Sequence, residues 1–556
     1  MTSYTRRTVL KGALAAAGTA AVVPASAIAA PPSGVALVRN RLTLPSGIAT
    51  GDVTVDSGIL WSRASGAGQL VASLLAVDDD GSPLRNGRAF QRVLRGSAAS
   101  EATDFTAKIT AQHLPAGTRF AVSMHFEDAD GNAGETAQGS FSTAPGSAAP
   151  RGGRTRGDGI GGGGTEGGGT RGGGAPRRQS FVWTGDTAGQ GWGINEEIGG
   201  MRGYAAMHAT RPDFFIHSGD TIYADGPIPA QVTEPDGQIW RNLVTAEVAK
   251  VAETLNEFRG RHRYNLMDKN IRAFYAEVPV IAQWDDHETH NNWYPGQILS
   301  DDRYTERRVD VLAARGRQAW QEYQPIAGPS DGSTGFEPAR IYRKISRGPQ
   351  LDIFCLDMRS FKDPNTDGKE TQLMHILGQE QTDWLIREVS RSKATWKVIA
   401  NDLPLGLVVP DGPVNQESLS NRDDGAPLGK ELELAGVLAA FKRNRVKNVV
   451  WVTADVHYCA AHHYSPERAA FQDFDPFWEF VAGPINAGSF GPNKLDGTFG
   501  PEVAFFKAGA YANQSPRSGE SQYFGHVDLG EGDVFTVSLR DANGAVLWSK
   551  ALQPER

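Results

Sequence analysis

Short apolar runs that end in polar, chemically versatile residues recur along this chain. Three such junctions have the same form, and they lie at 213–223, 279–288 and 449–457. Short apolar runs of this length, bounded by turn residues, are typical of buried strands. In α/β sheets, ligands collect outside the carboxyl ends of the strands. The three junctions, each carrying Asp or His, therefore predict one shared cleft that binds metal.

From residue 179 onward, strand-like and helix-like patterns alternate, which predicts a large α/β domain over 179–556. The strand patterns lie at 180–183, 351–357, 395–400, 534–539 and 545–548. Amphipathic spacing predicts helices at 303–323, 378–391 and 430–443. The last two strands flank Asp541-Ala542-Asn543-Gly544, a favourable hairpin turn, so we expect them to close the edge of a sheet.

The region before this domain has a different pattern. Short strand-like runs such as 58–62 and 119–124 are separated by the turn sequences Asp-Asp-Gly and Asp-Gly-Asn, and long helical periodicity is absent. This spacing predicts a small antiparallel β-sandwich at 36–145. Residues 146–178 are almost entirely Gly, Arg, Pro, Ser, Thr and Ala, which predicts a disordered linker that cannot bury enough apolar surface to fold.

The first 29 residues have the form of a twin-arginine export signal. Arg6-Arg7 precedes a short Ala-rich apolar stretch, and small residues around Ala27 and Ala29 offer cleavage sites. The stretch is too short and too weakly apolar for a retained membrane anchor. We therefore expect the twin-arginine translocase as a transient partner, and a secreted or periplasmic mature protein without a transmembrane segment.

Composition narrows the classes of function. The 556 residues carry 56 basic and 64 acidic side chains, a formal net charge of -8, so no global basic field favours a nucleic-acid complex. Two cysteines, Cys355 and Cys459, are too few for a disulfide framework and too far apart for a C-x-x-C motif. They form either two buried thiols, which their apolar surroundings favour, or one bridge.

The strand exits supply carboxylates, imidazoles, a phenol and an amide. Such ligands suit hard or borderline cations. A nucleophile elbow is missing from the strand exits, and a phosphate-binding P-loop motif is missing from the sequence. The pattern therefore predicts water activated by metal ions as the nucleophile. If two ions lie close together, Asp220 is the natural bridging carboxylate because it is central in the order of motifs.

Several of these motifs resemble the PhoD-like alkaline phosphatase and phosphodiesterase family, a branch of the calcineurin-like metallophosphoesterases that is related to PhoD-like phospholipases D. They are G-D-T-I-Y at 219–223, W-D-D-H-E-T-H-N-N at 284–292, L-D-M-R at 356–359, D-V-H at 455–457 and E-F-V at 479–481. The first two are highly specific. The resemblance implies an α/β fold in which a two-sheet metallophosphoesterase sandwich is flanked by helices and preceded by a small all-β, immunoglobulin- or fibronectin-like sandwich.

The resemblance also implies a binuclear metal centre. Asp220 would bridge the ions, Tyr223 and His457 would hold Fe³⁺, and Asn291 and Asp455 would hold the divalent partner, which is Ca²⁺ in this family. Other divalent ions such as Mn²⁺ or Zn²⁺ are alternatives. The family commonly has a cysteine at the first strand exit, where this chain has Asp186. A carboxylate in place of a thiolate makes the site harder and leaves the identity of the metals open.

Several site residues have two readings. Asp286 and Asn291 are either ligands or organisers of the loop through Asx turns. His287 either protonates the leaving group or orients a ligand. Arg359 either contacts a substrate phosphate or forms a structural salt bridge.

The expected function is hydrolysis of phosphate monoesters, diesters or both by metal-activated hydroxide, as in alkaline phosphatase D or a phosphodiesterase. Small phosphoesters are the expected substrates. An alternative is a phospholipase D that acts on phospholipid head groups, and an alternative of another class is a cell-surface binding protein on an inactive phosphoesterase scaffold. Asp220, Tyr223, Asp455 and His457 are all present, which argues against an inactive site.

Overall fold

The structure is a computed structural model that describes residues 41–146, 178–328 and 336–555. The predicted export signal and nearly all of the predicted linker lie outside the described residues. None of the helices in these ranges combines the length and the apolar character that a membrane crossing requires.

Twenty-four strands and six α-helices make up the regular structure of the described ranges. The helices are α1 (Arg202–Ala209), α2 (Leu255–Asn265), α3 (Lys269–Glu277), α4 (Val309–Tyr323), α5 (Gln379–Arg391) and α6 (Glu431–Arg443). The first twelve strands are β1 (Ile48–Gly51), β2 (Gly58–Arg63), β3 (Gly68–Val77), β4 (Gln91–Ala99), β5 (Thr106–Ala111), β6 (Arg119–Glu127), β7 (Ala137–Ser142), β8 (Gln179–Thr184), β9 (Phe214–Ser218), β10 (Gln231–Thr233), β11 (Ile239–Arg241) and β12 (Val280–Gln283). The others are β13 (Arg343–Ser346), β14 (Leu351–Cys355), β15 (Trp396–Ala400), β16 (Pro410–Asp411), β17 (Asn415–Gln416), β18 (Val449–Thr453), β19 (Cys459–Tyr464), β20 (Phe477–Val481), β21 (Pro501–Lys507), β22 (Tyr523–Leu529), β23 (Phe535–Asp541) and β24 (Val546–Leu552).

Two large mixed sheets form the centre of the fold. The nine-stranded sheet has the order β24-β23-β22-β8-β9-β12-β1-β2-β5, and the seven-stranded sheet has the order β13-β14-β15-β18-β20-β19-β21. Strands β8, β9 and β12 run parallel to one another, as do β14, β15, β18 and β20. Parallel strands are covered on both faces and read as continuous apolar runs, which explains why these segments could be recognised in the sequence.

Side chains of the two sheets meet in one apolar layer. Phe181 and Ile216 from the nine-stranded sheet share it with Val398 and Val450 from the seven-stranded sheet. The outer face of the nine-stranded sheet is covered by α1 to α4, and that of the seven-stranded sheet by α5 and α6. This arrangement confirms the predicted two-sheet sandwich flanked by helices.

The N-terminal strands form a smaller sandwich that continues into the large one. The sheet β4-β3-β6-β7 packs against β1, β2 and β5 around an apolar core that includes Leu60 and Phe120. Strand β1 also pairs with β12, with Gly51 opposite Val280. The all-β character of this region agrees with the prediction, but three of its strands are part of the nine-stranded sheet.

The helices α5 and α6 begin and end within one residue of the predicted bounds, whereas α4 begins at Val309. The residues before it are held in an extended pairing, because Leu299 N donates to Arg307 O at 2.8 Å and Val309 N to Gln297 O at 3.0 Å. Strands β23 and β24 form the predicted hairpin, and β24 is an edge strand. Cys355 and Cys459 are both buried and free, so the thiol alternative is confirmed.

Candidate metal centre

The site lies where four strand ends meet. Strands β8, β9 and β12 of the nine-stranded sheet and β18 of the seven-stranded sheet end shortly before four acidic residues, Asp186, Asp220, Asp286 and Asp455. The exits of β8 and β18 come so close that a Cβ on Gly185 would lie 2.7 Å from the Cβ of Ala454. The carboxyl ends of strands from both sheets therefore converge on one cleft.

Left-handed backbone conformations turn the chain at these exits. The φ angles are +67° at Asp186, +52° at Asp220, +65° at Asp455 and +60° at His457. Asp, Asn and His tolerate this region better than other residues with a Cβ. Between the exits of β9 and β12, Gly219 has a φ of +92°, and a Cβ there would lie 2.4 Å from the Cβ of Asp285. Glycine thus permits the close approach of these two loops.

One group of possible metal ligands gathers around His457. Ligand atoms of Asp186, Asp220 and His457 all lie within 4.8 Å of one another. Tyr223 Oη lies 2.8 Å from His457 Nε2, which is 3.5 Å from Asp186 Oδ1. His457 Nδ1 donates to Gly488 O at 2.5 Å, so Nε2 carries the lone pair; it accepts from the Tyr223 hydroxyl here and has the donor chemistry to bind a cation.

A second group shares Asp220 with the first. Ligand atoms of Asp220, Asp286 and His287 also lie within 4.8 Å of one another. The backbone N–H of His287 donates to Asp220 Oδ1 at 3.2 Å, and that of Asn292 donates to Asp286 Oδ2 at 2.6 Å. Asp220 thus belongs to both groups of possible ligands.

Several carboxylate oxygens at these strand exits have no hydrogen-bond partner. Among the described residues, both carboxylate oxygens of Asp186, Oδ1 of Asp286 and Oδ2 of Asp455 are buried without a hydrogen bond. Burial, followed by the charges of neighbouring acids, raises the pKa values of Asp186, Asp220 and Asp455 well above the ordinary range. Buried unpaired carboxylates are costly, and bound cations remove that cost. The donor set therefore fits a pair of metal ions with hard or borderline character.

His287 is held by an aspartate and a tyrosine. Its Nδ1 lies 2.7 Å from Asp225 Oδ1, and its ring stacks on Tyr223 with 4.1 Å between centroids. Burial alone would lower the pKa of His287, but the charges of Asp225 and Asp286 raise it to about 10. An imidazole held in this way at the cleft can store a proton and deliver it to a bound molecule.

Two of the predicted site residues lie elsewhere. Asn291 is exposed, and its contact to this region is a backbone N–H that donates to Asp225 Oδ2 at 2.8 Å. The half-buried neighbour Asn292, with a φ of +58°, is the asparagine that contacts Asp286. Asn291 and Asn292 thus both contact this region through their backbones, and the role of the Asn291 side chain as a metal ligand stays a prediction.

Arg359 lies beneath the cleft. Its side chain is fully buried, its Nε is 2.5 Å from Asp285 Oδ1, and its Nη1 is paired with Glu417. Its Nη2 lies 3.9 Å from Asp286 Oδ1. These ion pairs favour the salt-bridge alternative, and a contact of Arg359 with a substrate phosphate stays a prediction.

Asp225 was not singled out in the sequence, although it follows Tyr223 by two residues. It accepts hydrogen bonds from both sides of the β12 exit loop, from His287 and from Asn291. Its position two residues after the G-D-T-I-Y motif was the feature of the sequence that could have indicated a role for Asp225 at the site. Only the fold shows that it faces the imidazole.

Comparison with known proteins finds two matching family models, a curated relative and a similar solved structure. Residues 181–534 match the family model "PhoD-like phosphatase", and residues 29–145 match "PhoD-like phosphatase, N-terminal domain". Alkaline phosphatase D of Bacillus subtilis (strain 168) is 28% identical over 326 residues, which cover 56% of this chain and 53% of that protein. The chain thus spans about half the length of this curated relative.

A solved structure described as "Structure of PhoD" superimposes with a TM-score of 0.63 at 20% identity, over 91% of this chain and 89% of that one. This likeness supports the fold. The family model covers well over half of the chain and includes all four strand exits of the cleft. The chain therefore belongs to the PhoD-like phosphatase family.

Proposed function

We propose that this protein is an exported, metal-dependent phosphoesterase that hydrolyses phosphate monoesters, diesters or both. The observation that carries the proposal is the set of buried carboxylate oxygens without hydrogen bonds at four converging strand exits, in a chain of the PhoD-like phosphatase family. Unpaired buried acids with perturbed pKa values in a cleft are typical of functional sites.

Two ions would be held by separate sets of ligands that share Asp220. Asp186, Tyr223 and His457 suit a trivalent ion, for which Fe³⁺ is the candidate. Asp286, grouped with Asp220, and Asp455, whose Oδ2 is buried without a hydrogen bond, suit a divalent ion, for which Ca²⁺ is the first candidate and Mn²⁺ or Zn²⁺ are alternatives. Bound cations supply Lewis-acid activation of water and of the phosphoryl group.

The protein's own residues would orient and protonate the substrate. Asp225 fixes Nδ1 of His287, and the stacked ring of Tyr223 limits rotation of the imidazole. The other ring nitrogen is then placed to give a proton to the leaving-group oxygen. In-line attack by water needs no covalent phosphoenzyme, in agreement with the sequence, which has no nucleophile elbow at the strand exits.

The first test is hydrolysis of a matched pair of aryl phosphate monoester and diester substrates by the mature protein. We expect turnover that a chelator abolishes and that added Fe³⁺ and Ca²⁺ restore. The ratio of diester to monoester turnover assigns the subclass. Chelator-resistant turnover, or none on either ester, contradicts the proposal. Hydrolysis of phospholipid vesicles without turnover of the soluble esters would instead support the phospholipase alternative.

Elemental analysis of the purified protein tests the identity of the ions. We expect two metal ions per chain, and visible absorption from the Tyr223 phenolate if one of them is Fe³⁺. A Tyr223→Phe variant should lose that absorption while the fold is retained. Two colourless divalent ions in the wild-type protein would contradict the iron assignment but leave the phosphoesterase proposal intact.

Export is tested by replacing Arg6 and Arg7 with lysine. We expect the variant to accumulate in the cytoplasm, because the twin-arginine pathway depends on this pair. The control is the single substitution Lys11→Arg, which leaves Arg6 and Arg7 in place and should be exported normally. Export of the double variant at the wild-type level would contradict the proposed route.

A further inference from the structure

A buried glutamate with no cationic partner lies directly behind the candidate metal centre. The side chain of Glu288 has 0% exposure, and no Lys, Arg or His of the described ranges forms an ion pair with it. An isolated buried carboxylate is destabilising unless hydrogen bonds satisfy its oxygens. The contacts of Glu288 therefore indicate what it does.

Both oxygens of Glu288 are saturated by groups of the two neighbouring strand exits. Oε1 accepts from Thr221 N at 2.5 Å and from Thr221 Oγ1 at 2.6 Å. Oε2 accepts from Asp220 N at 3.2 Å and from Asp285 N at 2.8 Å. One oxygen is thus shared by backbone groups of both exits, and the carboxylate joins the loop after β9 to the loop after β12.

This link is located where the sheet no longer holds the two loops together. The pairing of β9 with β12 ends at Ser218 and Gln283. Asp220 and Asp286 lie two and three residues beyond these strand ends, and both belong to the second group of possible metal ligands. Beyond the end of the ladder, the backbones of Asp220 and Asp285 are joined through Glu288. Further along the loops, Ala224 N donates to His287 O at 2.7 Å, and His287 N donates to Asp220 Oδ1 at 3.2 Å.

We propose that Glu288 is a positioning residue that sets the separation of the two metal sites by fixing Asp220 relative to Asp286. The inference rests on the proposed metal-dependent function. Glu288 acts through the backbone groups of Asp220, Thr221 and Asp285, which donate to its two oxygens.

The Thr221 hydroxyl provides a test that leaves every charge unchanged. Thr221→Val removes the hydrogen bond to Glu288 Oε1 but keeps the shape of the side chain, and Thr221→Ser keeps the hydroxyl. If Glu288 acted only through its negative charge, the two variants would bind metal alike. If it acts through position, only the valine variant is impaired, and the serine variant retains the wild-type behaviour.

Glu288 itself gives the larger effect. In Glu288→Gln, one acceptor oxygen becomes an NH₂ group that faces N–H donors, so at least one side of the link is lost. Loss of an outer partner of a metal ligand typically lowers metal affinity by about 10–100-fold. We expect a decrease in this range for Glu288→Gln and a decrease of about 10-fold for Thr221→Val.

The experiment uses the metal-free mature chain titrated with Mn²⁺ alone, followed by calorimetry and electron paramagnetic resonance. In the wild-type protein we expect two bound ions with an exchange-coupled spectrum. Thr221→Val should shift the spectrum toward isolated Mn²⁺ and lower kcat of the loaded enzyme with little change in KM, while Thr221→Ser should match the wild type.

The outcomes separate the two proposals. If the wild type binds two coupled ions and Thr221→Val is indistinguishable from it in affinity and coupling, the positioning role is overturned and the proposed function stands. If the wild type binds no Mn²⁺ and hydrolyses no ester, both proposals fail. Should Glu288→Gln not fold, the valine and serine variants at Thr221 still decide the question.

Discussion

Asp186 and Glu288 are buried to the same degree but differ in their hydrogen bonds. Asp186 is 1% exposed and has no hydrogen bond on either oxygen, while Glu288 is 0% exposed and accepts four. Burial raises the pKa of both carboxylates. The acid in the loop after β8, Asp186, therefore lacks partners unless a ligand binds. The acid in the loop after β12, Glu288, has all of its hydrogen-bond partners within the protein. Hydrogen-bond saturation, rather than burial, separates binding groups from supporting groups here.

The largest effect is expected from Asp220, the residue common to both donor groups. Asp220→Asn should reduce turnover by more than about 100-fold, because loss of a supporting partner alone costs about 10–100-fold. The fold should be retained, as judged by circular dichroism. The exposed Asp236, which is in neither group of possible ligands, supplies the control Asp236→Asn, with turnover unchanged. Near-normal turnover of Asp220→Asn would remove Asp220 from the proposed metal centre.

The supporting layer can be broken at Arg359. Arg359→Met leaves Asp285 and Glu417 buried without their shared cation. Removal of one partner from a buried ion pair typically costs about 3–5 kcal/mol, which we expect as the decrease in the free energy of unfolding. Denaturant titration measures it. The exposed pair of Arg241 and Glu197 is the control, since Arg241→Met should cost less than about 1 kcal/mol. Equal costs would mean that the buried network has no special role.

The comparison of Asp186 with Glu288 makes a prediction of opposite signs. In the metal-free protein, Asp186→Asn removes a repelling, unpaired charge and should raise the free energy of unfolding by on the order of 1 kcal/mol. Glu288→Gln removes an acceptor and should lower it by about 1–3 kcal/mol. Thermal melts after chelation provide the measurement. Shifts of the same sign in both variants would contradict the distinction between the two acids.

A smaller effect concerns a buried acid outside the metal centre. Burial, and then the charge of Asp496, raise the pKa of Glu431 to about 8. Because the folded pKa is above the unfolded value, the stability that Glu431 contributes is complete below its unfolded pKa and is lost as the pH rises through about 8. The Gln variant lacks this loss. The difference in unfolding free energy between Glu431→Gln and the wild type should therefore grow in favour of the variant from about pH 5 to about pH 9.

Denaturant midpoints at several pH values follow this difference, and titrations common to both proteins cancel in it. A difference that stays constant with pH would show that Glu431 does not titrate in the native state over this range.

The sequence predicted the parts of the site that depend on local pattern. Strands such as β9 and β18 begin with uninterrupted apolar runs, at 214–216 and 449–452, so the Asp and His residues that follow these runs stood out. Helices α2 and α3 were missed. In α2 the buried face includes Arg259, Arg261 and His262, and these polar residues hide the apolar period. Tertiary contacts, rather than the local sequence pattern, determine that such segments are helical.

The contacts that support the site could not be predicted from local pattern, because they join residues that are far apart in the sequence. Asp225 and His287 are 62 positions apart in the chain, and Thr221 and Glu288 are 67 apart. A single sequence gives no signal that links such pairs. The turn after Asp286 brings the backbone N–H of Asn291 to Asp225 and that of Asn292 to Asp286, and two adjacent asparagines in a sequence do not reveal this.

The left-handed conformations at Asp186, Asp220, Asp455 and His457 restrict what evolution or an engineer can substitute there. β-branched residues are strongly disfavoured in this region of the backbone, whereas Gly, Asn, Asp and His are tolerated. Random libraries at these four positions would consequently return a narrow set of folded variants, most of them rich in oxygen or nitrogen ligands. The backbone conformation thus restricts these four positions to a few residue types, and apart from glycine these types have side chains that can bind cations.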